Sequence, residues 1–265
     1  TASILLCNCD HLPPPLPAIS TPDPIATEPW FVDEAEKRGI TFAWESGANC
    51  KHHMPEIIGG GVAILDVDGD DDLDIYFIQG GSIFTIGDLQ NENQLFINKD
   101  GVFTNETRSS GAGDTGFGMG IAAGDVDNDG DLDLYITNFG KDTLLLNSGN
   151  GTFVDGTKKV GFVLDHWSTG AVFLDFDKDG DMDLFILGNT HISKYPISNK
   201  SQLLENKNGI FIDVTDLYLN EIKNIGIPKD AAWADLNNDG FDDLILINEF
   251  SPIQILINTS KAFKL

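Results

Sequence analysis

An all-β fold of recurring four-stranded units is predicted by three observations in the sequence. A nine-residue acidic motif occurs four times, as DVDGDDDLD at 66–74, DVDNDGDLD at 125–133, DFDKDGDMD at 175–183 and DLNNDGFDD at 235–243, each copy starting 50 to 60 residues after the last. Every copy joins two strand-like apolar runs: GGGVAIL, GMGIAAG, STGAVFL and PKDAAWA precede, while IYFIQGG, LYITNFG, LFILGNT and LILINEF follow. Hairpin-like segments come next in each unit, NQLFINKDGVFTNET at 93–107, DTLLLNSGNGTFVDGT at 142–157, SQLLENKNGIFIDVT at 201–215 and the shorter IQILINTSKAFKL at 253–265, several turning on Asn/Asp-Gly dipeptides.

About four short strands per unit, with no amphipathic helix between units, is the pattern of β-propeller blades. A parallel α/β fold would need helical crossovers of about a dozen residues, and none is legible. In chain order, residues 1–27 form a Pro-rich leader or tether, opening on a short apolar run that reads as a processed export remnant. Residues 28–265 form the propeller, in units of about 28–98, 99–147, 148–206 and 207–265. EPWFVDEAEKRGITF at 28–42 aligns with GVFTNETRSSGA, so the chain is expected to enter on the strand that normally ends a blade. Two readings of closure remain, four blades closing on themselves or the front of a longer propeller.

Composition narrows the partners. Against 16 Lys plus Arg stand 42 Asp plus Glu, a net charge of -26 that argues against nucleic acid or an anionic membrane surface and for a cation. No apolar run approaches the roughly 18 residues of a membrane helix.

The acidic motif itself is a cation loop. Alternate carboxylates at positions one, three, five and nine can converge in a tight turn, glycine at position six permits the bend, and the position-seven carbonyl adds an oxygen. That assigns Asp66, Asp68, Asp70, Asp72 and Asp74 to the first site; Asp125, Asp127, Asp129, Asp131 and Asp133 to the second; Asp175, Asp177, Asp179, Asp181 and Asp183 to the third; and Asp235, Asn237, Asp239, Phe241 and Asp243 to the fourth. Hard oxygens with several charges suit calcium, about four ions per chain, better than magnesium with its strict octahedron. Position six is Gly130, Gly180 and Gly240 in three loops but Asp71 in the first, where a left-handed backbone is less comfortable. An EF-hand is excluded because strand-like IYF, LYI, LFI and LIL stand where its helix and closing Glu belong.

These segments resemble the FG-GAP or VCBS-type repeat of integrin-α-like propellers. The stretch WFVDEAEKRGITFAWESGANCKHHMPEIIGGGVAILDVDGD at 30–70 and the NGTFVDGT strand are similar to the bacterial branch related to cartilage acidic protein, the ASPIC/UnbV type. The resemblance covers about 28–265 and implies an exported, calcium-stabilised propeller, secreted, periplasmic or on the cell surface, that binds other protein subunits and has no established catalysis. Its members generally have about seven blades, whereas four units are visible here.

Other chemistry is thinner. Cys7, Cys9 and Cys50 allow one disulfide, a metal site with His11, His52 and His53, or unlinked thiols. A hydrolase would need a singular carboxylate pair, such as Asp127 with Asp133, yet these carboxylates recur in every unit, so the chain is not expected to be an enzyme. A glycan-binding module is the alternative function, predicting exposed aromatics near 162–168 and 186–196. For His166, Trp167 and Trp233 the expected place is nonetheless the core or a rim. The sequons at Asn105, Asn150, Asn199 and Asn258 fall in predicted turns or strand ends.

Overall fold

The computed structural model describes residues 31–48, 53–83, 91–160, 165–189, 201–219, 226–249 and 251–265, without the side chains of 165 and 166. The leader, Cys7, Cys9, Cys50, His11, His52 and Asn199 lie outside them. Among the described residues, sixteen strands fall in four successive meanders. The first blade is β1 (Gly61–Leu65), β2 (Asp74–Ile78), β3 (Gln94–Lys99) and β4 (Val102–Asn105). The second is β5 (Gly118–Gly124), β6 (Asp133–Lys141), β7 (Thr143–Asn147) and β8 (Phe153–Asp155). The third is β9 (Asp165–Leu174), β10 (Asp183–Gly188), β11 (Gln202–Asn206) and β12 (Phe211–Asp213). The fourth is β13 (Ile227–Ala234), β14 (Asp243–Glu249), β15 (Gln254–Asn258) and β16 (Phe263–Lys264). All pairings are antiparallel, and the long strands β6 and β9 also pair at their ends, Phe139 with Trp167, which merges the second and third blades into one sheet. Helical structure among the described residues is confined to single turns, as at Pro55–Ile58, Thr107–Ser110 and Thr215–Tyr218, and no helix is long and apolar enough to cross a membrane. The fold is all-β, made of propeller-type blades.

The period-two alternation of the strands builds one core between each pair of neighbouring blades. In β6, Leu134 and Ile136 face back to Tyr76, Ile78 and Leu95 of the first blade, while Tyr135 faces forward to Leu184, Ile186 and Leu204 of the third. In β10, Leu184 faces back while Phe185 and Leu187 face forward to Leu244, Leu246 and Leu256. Each such fully buried side chain contributes about 1.5 to 3 kcal/mol. The first strands lie side by side in chain order, β1 against β5, β5 against β9 and β9 against β13.

Residues 31–48 contain no strand. Instead a 3-10 turn, Glu36–Arg38, ends at Gly39, and the following stretch packs on the first blade, with Phe42 stacked 4.5 Å from Phe77 and Gly81 N–H donating to Glu45 O at 2.6 Å. The alignment with 105–112 nevertheless describes the place of this segment. Gly39 (φ 93°) and Gly111 (φ 75°) both close a turn over a strand backbone, and a Cβ there would lie 2.3 Å from Phe103 O and 2.7 Å from Phe153 O respectively. The expected strand character is lost because 33–40 corresponds to the turn after a blade's last strand, not to the strand itself.

A latch joins each blade to the one before it. The asparagine that ends the third strand donates its Nδ2 to a backbone carbonyl in the preceding blade's acidic loop: Asn147 to Val67 O (2.9 Å), Asn206 to Val126 O (2.7 Å) and Asn258 to Phe176 O (2.7 Å). Asn258 is therefore buried and committed, which removes it as a glycan acceptor. Asn206→Ala is expected to cost about 1 to 3 kcal/mol, because Val126 O stays buried without its donor. Asn98→Ala, in the blade with no described predecessor, is expected to cost less, since Asn98 Nδ2 reaches only its own blade at Leu73 O. Denaturant unfolding of the two variants measures the difference.

Candidate metal-binding loops

Each acidic loop hangs between the first and second strands of its blade, β1–β2, β5–β6, β9–β10 and β13–β14. The bend needs two left-handed residues, not one. Position six is left-handed as expected, at Gly130 (φ 95°), Gly180 (φ 95°), Gly240 (φ 94°) and Asp71 (φ 71°). Position four is left-handed too, at Gly69, Asn128, Lys178 and Asn238. Two of those four are Asn and one Gly, residues that tolerate this region, and that was the available signal. Asp71→Gly is expected to stabilise the protein by up to about 1 kcal/mol, since the equivalent glycines carry the same backbone without a side chain; thermal unfolding of the variant tests this.

Short hydrogen bonds fix the loop backbone. The position-five carboxylate accepts from the position-seven N–H in all four loops, Asp70 from Asp72 (2.9 Å), Asp129 from Asp131 (3.0 Å), Asp179 from Asp181 (2.9 Å) and Asp239 from Phe241 (2.9 Å). Position one reaches across the turn, as when Asp125 accepts from Asp129 and Gly130 and Asp235 from Asp239 and Gly240.

Position nine has a role that spacing did not reveal. Its buried carboxylate clamps the loop to the third strand, one oxygen on each. Asp74 accepts from Val67 N–H (2.9 Å) and Asn98 N–H (2.7 Å), and Asp133 from Val126 (2.9 Å) and Asn147 (2.8 Å). Asp183 accepts from Phe176 (3.0 Å) and Asn206 (2.8 Å), and Asp243 from Leu236 (3.1 Å) and Asn258 (2.7 Å). Position seven, expected to offer its carbonyl, also uses its side chain: Asp72 accepts from Asp100 N–H (2.8 Å) and Asp181 from Asn208 N–H (3.0 Å), tying the loop to the hairpin between the third and fourth strands.

The carboxylates converge in three loops. Oxygens of Asp66, Asp68 and Asp70, of Asp125, Asp127 and Asp133, and of Asp175, Asp177 and Asp183 lie within 4.8 Å of one another. Asp74, Asp129 and Asp179 are outside these trios, and among the described residues no acidic trio forms in the fourth loop, where Asn237 holds position three and gives its Nδ2 to Asp239. Crowding has the expected electrostatic signature. Burial pushes Asp133 up to about 6 and Asp183 up to about 8, against the pull of their backbone donors, with the charges of Asp127 and Asp129, and of Asp177 and Asp179, adding to the shift. Burial raises Asp68 as well, and the Asp70 charge adds to it. The donor set fits a hard cation: all oxygen, multiply charged, with Asp68 Oδ1 and Asp175 Oδ1 buried and unpartnered. Lysine reaches the second loop, Lys159 Nζ standing 3.2 Å from Asp127. Neighbouring loops touch, through Asn128 Nδ2 to Asp181 (2.6 Å) and Lys178 Nζ to Asp242 (2.7 Å).

The remaining candidates separate. Trp167 is buried, edge-on to Phe139 at 5.7 Å, as expected of a packing residue, and gives no exposed ring to a glycan. Trp233, expected in the core or at a rim, is 43% exposed, which rules out the core. His166 pairs with Gly140 through its backbone. His53 is described without its expected neighbours Cys50 and His52, which lie outside the described residues.

A family model described as the FG-GAP-like repeat matches residues 66–136 and 125–186, which contain the first three loops. The narrower likeness to the ASPIC/UnbV branch has no counterpart in that match. No curated protein matches the chain. Among solved structures, a lectin of Agrocybe aegerita that recognises non-reducing terminal N-acetylglucosamine is 19% identical over 76% of this chain, with a TM-score of 0.45. The V. cholerae biofilm matrix protein Bap1 is 16% identical over 77%, with a TM-score of 0.39. The chain spans 50% of the length of the first and 30% of the second. The matched repeats, the recurring loop and the four-stranded blades agree, and residues 66–186 are FG-GAP-like repeats.

Proposed function

We propose that the chain is a calcium-stabilised interaction module that works outside the cytoplasm, secreted, periplasmic or on the cell surface, with other protein subunits as partners. The observation that carries the reading is the convergence of three carboxylates in each of three loops, with a buried, unpartnered oxygen in the first (Asp68 Oδ1) and the third (Asp175 Oδ1). The ligands proposed are the side chains at positions one, three, five and nine, with the position-seven carbonyl. In the fourth loop these are Asp235, Asn237, Asp239 and Asp243, with the carbonyl of Phe241. Calcium supplies charge neutralisation. The chain's own residues hold the loop shape, through the position-five and position-nine bonds, before any ion arrives.

A structural rather than catalytic role follows from how the loops are used. Each sits between two strands and is bonded to a third, so an ion bound there stabilises the folded blade and nothing else in the same step. Extracellular calcium is plentiful enough to fill sites of modest affinity. The proposed domain organisation is a Pro-rich tether over 1–27 carrying a propeller body over 28–265.

Metal analysis of the purified protein, with thermal unfolding in calcium and in chelator, tests the reading. About four ions per chain are expected, each adding about 2.7 kcal/mol when free calcium is 100 times its dissociation constant. Absence of calcium together with identical unfolding in both buffers would falsify it.

A further inference from the structure

We infer that Lys159 is a tethered competitor for the cation of the second acidic loop, and that it raises the calcium concentration at which this loop fills. The inference rests on the calcium reading above and adds a regulator of one site to it.

The fold delivers the ammonium to that loop. After β8 the chain makes a single 3-10 turn, Thr157–Val160, in which Thr157 N–H donates to Asp155 (2.8 Å) and the Thr157 hydroxyl accepts from Leu144 N–H (3.1 Å). Lys159 N–H donates to Gly156 O at 2.7 Å, and Val160 is buried in the core between the second and third blades. With its backbone fixed in this way, Lys159 places Nζ 3.2 Å from Asp127 Oδ2, at position three of the loop. The third blade's hairpin lies alongside the pair, since a Cβ on Gly209 would stand 3.5 Å from Asp127 Cβ and 3.7 Å from Lys159 Nζ. The side chains of Lys159 and Asp127 are 40% and 31% exposed, so the ion pair is partly withdrawn from water.

The first and third blades lack this device. Thr107 and Thr215 hold the place of Thr157, each donating its N–H to the side chain two residues earlier, Asn105 at 3.1 Å and Asp213 at 2.9 Å. Two residues further on, the place of Lys159 falls to Ser109 in the first blade and Leu217 in the third, and neither supplies a charge. Among the described residues, Lys159 makes the one ion pair to a proposed ligand. Lys178 goes instead to Asp242 at position eight, and Lys207, near Asp177 and Asp179, is paired with Glu205 at 3.0 Å. The second and third loops are otherwise alike, with aspartate at positions one, three, five, seven and nine and the oxygens of positions one, three and nine drawn together in both.

The ammonium acts with opposite signs in the two conditions. In chelator it relieves the crowding of Asp125, Asp127 and Asp133 and so supports the fold. In calcium it claims part of the charge that Asp127 would offer and repels a second cation. The effect is bounded, because a half-exposed lysine can swing aside for the modest cost of a surface ion pair.

The test is calorimetric titration of the metal-stripped, full 265-residue chain with calcium, alongside Lys159→Leu, which copies the third blade, and Lys159→Arg, which keeps the charge. Lys159→Leu is expected to tighten one ion per chain by about threefold to tenfold and leave the others unchanged, while Lys159→Arg is expected to match the unmodified chain. In an Asp127→Ala background Lys159→Leu is expected to change no affinity, which ties the effect to the second loop. Thermal unfolding reads the opposite sign: in chelator Lys159→Leu is expected to lower Tm by about 1 to 3 °C, a deficit that shrinks or reverses as calcium is added. Affinities unchanged by Lys159→Leu, or tightened equally by Lys159→Arg or in the Asp127→Ala background, overturn the proposal while leaving the calcium reading intact. A Tm deficit that grows with calcium also overturns it, making Lys159 a support for the ion and not its rival. A chain that binds no calcium overturns the calcium reading and this proposal together.

Discussion

Asp183→Ala is expected to lower the stability of the protein by about 3 to 5 kcal/mol even in chelator, whereas Asp179→Ala in the same loop is expected to cost under about 1 kcal/mol there. Both remove an oxygen from the third loop. Only Asp183 is buried, and only its loss strips the acceptor from two N–H groups, Phe176 in the loop and Asn206 in β11. Asp179 is exposed and bonds locally to Asp181 N–H. In calcium both losses should grow by a similar amount, since each variant then also forfeits an ion at that loop, and the gap between them should persist. Urea unfolding of both proteins with and without calcium gives the comparison. Equal losses in chelator would mean that position nine serves the ion alone and that the clamp to the third strand contributes little.

The second large effect is a gain. Asp142→Asn is expected to stabilise the protein by about 3 kcal/mol at pH 8, roughly 6 to 12 °C in Tm, and to change little at pH 4. Asp142 begins the second blade's third-strand segment and is buried, accepting from Asn138 N–H at 2.8 Å and from the Tyr135 hydroxyl at 3.1 Å. Burial pushes its carboxyl from 3.8 up to about 8, its donors only partly opposing this and the Asp114 charge adding to it. A carboxyl raised on folding keeps a proton that the unfolded chain has already released. Its contribution is therefore complete below about pH 4 and declines as pH rises toward 8. Asparagine cannot ionise, so the decline should vanish in the variant. The first blade shows that the amide fits, because Asn93 at the same position accepts Gln79 N–H at 2.7 Å. Two proteins whose melting curves run parallel from pH 4 to pH 8 would place the titration elsewhere.

How much of this was legible depended on whether a residue's partner lies nearby in sequence. The strands were legible because alternation and recurrence act together: LYI, LFI and LILI each repeat the same inward and outward placement after the same loop. Glycine at position six was legible for the same local reason, and Asp71 takes up the left-handed backbone that its position implied. The second left-handed position was hidden because Lys178 occupies it in one loop, a residue with no preference for that region. Position nine was read as one more ligand. Of its two donors, one lies in its own loop and the other in the third strand, Val126 and Asn147 for Asp133, and only the fold brings the second into reach. The latch asparagines recur visibly in FINK, LLNS, LENK and LINT, yet nothing in those words says that the acceptor sits in another blade. That omission is also why Asn258 read as a glycan acceptor. Segment 28–42 was placed correctly along the repeat but given a strand that its described part, a turn packed on the first blade, does not form.

The latch has a consequence for the order in which the chain is made. Asn147, Asn206 and Asn258 reach carbonyls 80, 80 and 82 residues nearer the N-terminus. A loop leaving the ribosome thus waits for another 80 or so residues before its last hydrogen bond can form. At about 5 to 20 residues per second that is a delay of roughly 4 to 16 seconds for each blade in turn. During that interval the newest blade is held by its own hairpins and acidic clamp, with an apolar face open to whatever it meets first. A clamp that works without the next blade, such as Asp133 between Val126 and Asn147, keeps the nascent edge in the shape its successor will need.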